Sequence, residues 1–177
     1  MKILVTGSQG YIGTFLSQFL SDNGMQVSGT DIGYYKDCNL VPVDDLIETK
    51  RIDIRDIGIN EVLGFDAIVH LAALSNDPVG ELDEKLTFDI NYKATINLAK
   101  LAKKAGVKRF IFVSTQSIYG ISNTVEELDE YSSTKNPQTA YAKTKWLAEQ
   151  ELKTLEDSEF EIVYIRPSTV FGWSPRL

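Results

Sequence analysis

The sequence predicts an α/β fold: a doubly wound parallel sheet with helices on both faces. Three observations carry this. Short apolar runs rich in β-branched residues alternate with helical patterns along the 177 residues, the order expected of parallel strands joined by crossover helices. The first run, Ile3-Leu4-Val5-Thr6, leads into glycines at 7, 10 and 13 and a helical pattern at Ile12, Phe15, Leu16, Phe19 and Leu20. The second run, Met25 to Thr30, ends in Asp31. Right-handed crossovers then predict six strands, or one more, in the order 3-2-1-4-5-6.

Length and charge narrow the function. A chain of 177 residues is enough for one domain with its own core. The net charge of −7, with no basic cluster, argues against nucleic-acid binding and against adhesion to an anionic membrane. No apolar run is long enough to span a bilayer, and the N-terminus opens directly into a strand without a signal-peptide pattern. Cys38 is the only cysteine, so no internal disulfide can form. This fits a reducing cytoplasm, the expected location. His70 is the only histidine, which excludes a multi-histidine metal site. At the end of a buried strand it reads as a packed or hydrogen-bonded residue rather than a catalytic one.

A strand, a glycine turn and a helix N-terminus in that order make an anion site. The first N–H groups of the helix point at the turn, and the helix dipole favours a phosphate there. Gly7 allows the tight turn, Gly10 lets a pyrophosphate approach the backbone, and Gly13 lets the helix pack closely on the strand. With Gln9, Tyr11 and Ile12 they are the candidate cofactor-binding residues of the turn. The spacing is GxxGxxG rather than GxGxxG. The first helix runs to about Asn23, with Gly24 as its stop. Asp31, at the end of the second strand, is placed to accept hydrogen bonds from a ribose 2′-OH and would repel a 2′-phosphate. That predicts NAD over NADP.

Ile32 to Asp45, with Gly33, Pro42 and the Tyr34-Tyr35 pair, reads as a loop. A short third strand is expected near Thr49 to Ile52, and a brief helix near Ile59 to Leu63. Strand four, Ala67 to Leu71, opens into Ala72-Ala73-Leu74-Ser75 at the sheet edge where such folds bind ligands. One long helix is expected from Asp83 to Ala105, ended by Gly106. Strand five is Phe110 to Val113, followed by Ser114-Thr115-Gln116-Ser117-Ile118-Tyr119-Gly120. Residues 121 to 139, with Glu126, Glu127, Asp129 and Glu130, read as a solvated surface loop. A helix from Ala140 to Leu155 and a sixth strand from Glu161 to Ile165 complete the pattern, and Arg166-Pro167 follow.

Tyr141 and Lys145 are four positions apart on a predicted helix, which puts both on one face. An ammonium beside a phenol stabilises phenolate and makes tyrosine a usable proton carrier near neutral pH. Thr115, just past strand five, offers a hydroxyl to a substrate oxygen. Arg166 and Arg176 are candidates for phosphate ligands, with pairing to a surface carboxylate as the alternative for a strand-end arginine.

The set GSQGYIG, Asp31, HLAALS, STQSIYG, YAKTK and RPSTVFG resembles the extended short-chain dehydrogenase/reductase superfamily. Within it, the nearest group is the NAD-dependent nucleotide-sugar epimerases and dehydratases. The resemblance covers nearly the whole chain and implies a Rossmann-like domain over 1–177 with NAD as cofactor. It implies Tyr141 as acid/base, Lys145 lowering its pKa and binding the nicotinamide ribose, Thr115 as hydroxyl partner, and Asn91 of DINYKAT as the helix asparagine of the catalytic tetrad. Asp53 and Ile54 would flank the adenine. Leu71, Ala72 and Ala73 would line the cofactor channel, with Val113 and Arg166 counted among the cofactor-binding residues.

In epimerases of this group the tyrosine removes a hydroxyl proton while hydride passes from the sugar to NAD; the keto sugar turns over and takes the hydride back. Dehydratases add an Asp-Glu pair just after the catalytic Thr. Here Gln116 and Ser117 stand at those positions, which argues against 4,6-dehydratase chemistry. The resemblance thus implies an epimerase acting on a UDP-, GDP- or dTDP-linked sugar, with a dehydrogenase, reductase or dehydratase as alternatives. A homodimer through the long helix and the Tyr-Lys helix is also implied. Because family members continue into a C-terminal substrate-binding part, the chain is expected to be truncated. A non-catalytic NAD-binding module is the competing reading.

Overall fold

Strands β1 (Lys2–Thr6), β2 (Gln26–Asp31), β3 (Glu48–Arg51), β4 (Ala67–His70), β5 (Arg109–Val113) and β6 (Glu161–Ile165) form one sheet in the order β3-β2-β1-β4-β5-β6. Every pairing is parallel. The computed structural model describes residues 1–35, 37, 38, 40, 47–75, 77–121 and 127–176. Pro42 and Asp45 of the predicted loop, and Glu126 of the acidic cluster, lie outside the described residues. The six-stranded order expected from the sequence is the order found.

The two sheet faces are covered differently. Helices α4 (Thr95–Lys104) and α5 (Ala140–Leu152) lie on one face. There Leu4, Ile68, Phe110, Phe112 and Ile162 pack with Leu98, Ala99, Ala102, Ala148 and Leu152 in the larger core cluster. Helix α1 (Tyr11–Asp22) covers the other face, where Ile3, Val5 and Val69 meet Leu16 and Leu20. Alternate strand residues supply the two faces, and the contiguous apolar runs reflect burial on both sides.

The long helix expected from Asp83 to Ala105 is found over 84–104, with a change of winding inside it. A short helix, α2 (Asp77–Leu82), precedes it; α3 (Glu84–Phe88) then passes through one π-helical turn at Asp89–Ala94 into α4. Asp83 separates α2 from α3. Its Oδ1 accepts the Leu86 N–H at 2.9 Å, so it caps a new helix rather than continuing an old one. The brief helix predicted near Ile59 is a single 3-10 turn, Ile59–Glu61. The last helix ends at Leu152, one turn early.

Candidate dinucleotide and acid–base site

The carboxyl ends of β1, β2, β4 and β5 bring the predicted residues to one edge of the sheet. Gly7 turns the chain out of β1 with φ +72°, and a Cβ there would lie 2.8 Å from the Ala72 backbone nitrogen. Gly13 sits on the first turn of α1, where a Cβ would overlap the Gly7 carbonyl. Both positions exclude any larger residue. A Cβ on Gly10, in contrast, would meet only the Gly7 carbonyl oxygen, at 3.3 Å.

The first hydrogen bond of α1 runs from Thr14 N–H to the Gly10 carbonyl at 3.0 Å, and no side chain caps the helix. The N–H groups of Tyr11, Ile12 and Gly13 therefore have no intrahelical acceptor. Asp31 joins the turn directly: Oδ2 accepts the Gln9 N–H at 3.0 Å and Oδ1 accepts the Gly33 N–H at 2.7 Å. Each carboxylate oxygen keeps a lone pair for a ribose hydroxyl. Open backbone donors beside an acidic residue fit a dinucleotide with a free ribose 2′-OH.

Tyr11 has further neighbours. Its hydroxyl donates to the Gly172 carbonyl, and its carbonyl accepts the Ser174 hydroxyl at 2.9 Å. Leu40 N–H donates to Pro175 O at 2.9 Å, and the Arg176 guanidinium donates to Tyr35 O. Residues 172–176 thus run beside the glycine turn and the loop after β2. Arg176 is buried there.

Asp53 caps the 3-10 turn Ile54–Asp56 and holds Arg55 through bonds of 3.0 and 2.6 Å. The Arg55 guanidinium keeps the Asp53 carboxyl below its usual range. The Ile54 side chain points into the core, so only its backbone is left to face an adenine. Leu71, Ala72 and Ala73 are half-buried after β4. The next residue, Leu74, is pinned from both sides by Asn91. The Asn91 Oδ1 accepts the Leu74 N–H at 2.8 Å, and Nδ2 donates to the Leu74 carbonyl at 3.0 Å. Asn91 sits fully buried inside the π turn, a distortion frequent at functional sites.

Helix α5 carries Tyr141 and Lys145. Its N-terminus is capped twice: by the Thr139 hydroxyl, which accepts the Ala142 N–H at 3.2 Å, and by Glu81, which accepts the Ala140 N–H at 2.7 Å. Lys145 is buried and donates to the Val113 carbonyl at 2.7 Å. Its ammonium lies 4.7 Å from the Phe112 ring centre and 5.9 Å from that of Tyr141. Burial pulls its pKa down to about 7, against the opposing charge of Glu149. Thr115 caps the 3-10 turn Gln116–Tyr119, on which α5 packs. Its oxygen accepts the Ser117 N–H at 3.1 Å, and its proton goes to Ser117 Oγ at 3.2 Å.

The phosphate-ligand reading of Arg166 gives way to its alternative. Arg166 donates to both oxygens of Glu149, at 3.1 and 2.6 Å, to the Tyr119 hydroxyl at 2.8 Å and to the Glu130 carbonyl at 3.0 Å. All three guanidinium nitrogens are engaged by protein, and Glu149 is a buried partner, not a surface one. Glu149 and Glu81 escaped the sequence reading. The signal for Glu149 was its spacing of one turn from Lys145 on the same helix face. His70 packs and hydrogen-bonds as expected. Burial, reinforced by the Lys145 charge, holds its pKa down near about 3.

The parallel sheet and the glycine turn with Asp31 are those of a dinucleotide-binding α/β protein, with Tyr141 and Lys145 together on one helix. Residues 3–176 match the NAD dependent epimerase/dehydratase family, and the chain belongs to it. Among its relatives is the UDP-glucose 4-epimerase of Vibrio cholerae, 32% identical over 97% of this chain and 52% of that protein. Another is the 2-alkyl-3-oxoalkanoate reductase of Stenotrophomonas maltophilia, 30% identical over 97% and 52%. Of the solved structures, the UDP-glucuronic acid 4-epimerase of Bacillus cereus in complex with NAD aligns with a TM-score of 0.81. It is 26% identical and is matched over 99% of this chain and 58% of that one. The chain spans about half the length of the curated relatives it matches. Among the described residues, no helix is long and apolar enough to cross a membrane.

Proposed function

We propose that this chain is the NAD-binding and acid–base part of a nucleotide-sugar epimerase. The observation that carries the reading is Lys145, buried on α5 between the end of β5 and the Tyr141 ring. The relatives that are UDP-sugar 4-epimerases support it.

The turn Gly7, Gln9, Gly10, Tyr11, Ile12 and Gly13 would hold the pyrophosphate, Asp31 the adenosine ribose, and Asp53 and Ile54 the adenine. Leu71, Ala72, Ala73 and Val113 would line the way from there to the acid–base end. When bound, NAD supplies the two-electron acceptor for oxidation of a sugar carbinol. Tyr141 takes the carbinol proton and returns it. Lys145 favours the phenolate and binds the nicotinamide ribose. Thr115 exchanges its bond with Ser117 for one to the sugar oxygen, and Asn91 holds the segment that lines the cofactor channel.

A reductase built on the same residues is the second reading, supported by the similarity to 2-alkyl-3-oxoalkanoate reductase. Titration with NAD and NADP, each with and without UDP-glucose, is the first test. Tight NAD binding with weak NADP binding is expected, and no binding of either would sink the cofactor assignment. Turnover of UDP-glucose by the natural full-length protein separates the two enzymes. An epimerase forms the C4 epimer with no net change in NADH, whereas an enzyme of the reductase type, running on this carbinol in the oxidative direction, releases the keto sugar and forms one NADH from NAD per turnover.

A further inference from the structure

His70 is the only histidine of the chain, and its ring is fully buried where β4 ends. Both ring nitrogens are bonded. Nδ1 lies 2.7 Å from the Thr6 hydroxyl at the end of β1. Nε2 lies 2.8 Å from the Thr95 hydroxyl at the start of α4. Each threonine reaches one group further. Thr6 Oγ1 accepts the Ala72 N–H at 3.3 Å, and Thr95 Oγ1 donates to the Asn91 carbonyl at 2.9 Å.

Counting protons assigns every direction. A threonine hydroxyl has one proton. Thr95 gives its proton to Asn91, so toward His70 it accepts, and Nε2 carries the hydrogen. Nδ1 is then the bare nitrogen and takes the Thr6 proton. A charged ring is disfavoured on two counts. It would be buried against Phe110 and Phe112, with ring centres 5.8 and 6.0 Å away, and the Lys145 ammonium sits over Phe112. Two arms result: Ala72 N–H to Thr6 to His70 Nδ1, and His70 Nε2–H to Thr95 to the Asn91 carbonyl. All donors point the same way, and aligned bonds in a low dielectric strengthen one another.

The ends of this chain are parts of the site. Ala72 is the residue against which Gly7 makes its close approach. Asn91 is the residue that grips Leu74. The segment Ala72–Leu74 is therefore tied to Asn91 twice, once by the asparagine side chain and once through His70.

We propose that His70, as the neutral Nε2–H tautomer, is a positioning residue that locks the Asn91 turn to the Gly7–Ala72 floor of the site. Its consequence for NAD binding rests on the functional reading above; its geometry does not. His70 touches no reacting atom and acts only through Asn91 and Ala72. A ring that merely filled space would serve equally well in either tautomer.

Nitrogen NMR of labelled protein tests the tautomer without ambiguity, because there is one histidine. The expected signals are a protonated Nε2 and a bare Nδ1, unchanged from about pH 5 to about pH 9. An Nδ1–H tautomer, or an imidazolium in that range, would overturn the proposal. Hydrogen exchange tests the positioning in His70→Phe, which keeps an aromatic ring, and in Thr95→Val, which removes only the outer hydroxyl. Amide exchange at Ala72 and Leu74 should quicken about tenfold while β1 and β5 stay protected, and NAD should bind about five- to tenfold more weakly. Should His70→Phe fail to fold, Thr95→Val decides alone. Unchanged exchange at both amides, or equal acceleration across the whole sheet, would overturn the proposal. A wild-type chain that fails to bind NAD refutes the cofactor reading alone, since tautomer and exchange still decide the role of His70.

Discussion

Lys145 and Glu149 lie one turn apart on the same buried face of α5, and each is held by a group from the sheet side. The Val113 carbonyl at the end of β5 receives the lysine, and Arg166 just past β6 donates to the glutamate. The helix that carries Tyr141 is therefore registered against two strand ends by two buried charged groups.

The buried lysine makes stability depend on pH in an unusual direction. Its folded-state pKa of about 7 lies below the roughly 10.4 of an unfolded lysine. Between those values the unfolded chain binds more protons, so the lysine's contribution to stability improves as pH rises from about 7 to about 10. Denaturant unfolding of wild type and Lys145→Met across that window checks this. The wild type should gain on the variant with rising pH; a flat difference would mean that the lysine titrates normally.

Glu149→Gln leaves the Arg166 guanidinium without its counter-charge in a largely buried setting. Breaking such a pair from one side costs about 3 kcal/mol, read as a shift in the denaturant midpoint. Glu149→Gln combined with Arg166→Met should cost less than the sum of the single changes. Additive losses would show that the two do not act as a pair.

Tyr141→Phe keeps the ring and removes the proton carrier. In the natural full-length protein, turnover of the sugar nucleotide should fall about 100-fold to 10,000-fold, with NAD affinity within about twofold of wild type. Full turnover in the variant would remove Tyr141 from the mechanism.

Asp31→Ala removes the acceptor for a ribose hydroxyl and frees the Gln9 and Gly33 N–H groups at the mouth of the turn. NAD should bind about tenfold more weakly, and the preference over NADP should shrink because the repulsion of a 2′-phosphate is gone. Calorimetric titration with both dinucleotides reads this; an unchanged ratio would place the selectivity elsewhere.

Gly13→Ala drives a methyl group into the Gly7 carbonyl. Either α1 moves off β1 or the turn opens, so both thermal stability and NAD affinity should fall. A variant that keeps both would mean that the helix relaxes without cost, contrary to this packing.

The sequence by itself determined the sheet order, the glycine turn, Asp31 and the shared face of Tyr141 and Lys145. These features follow from rules of short range. Alternating apolar runs and helical patterns, with right-handed crossovers, leave few topologies. A glycine triplet between a strand and a helix has one geometry, and residues four apart on a helix share a face. The start of the long helix at Asp83 was legible, but its π-helical turn at Asp89–Ala94 was not, because the apolar spacing does not mark one extra residue in a turn. Only the tertiary structure decided which buried polar group meets which. Arg166 finds Glu149 across 17 residues, and His70 finds Thr6 across 64 and Thr95 across 25. Burial requires each of these groups to have a partner. The identity of that partner is set by distances that exist only once the sheet and its helices have closed around them.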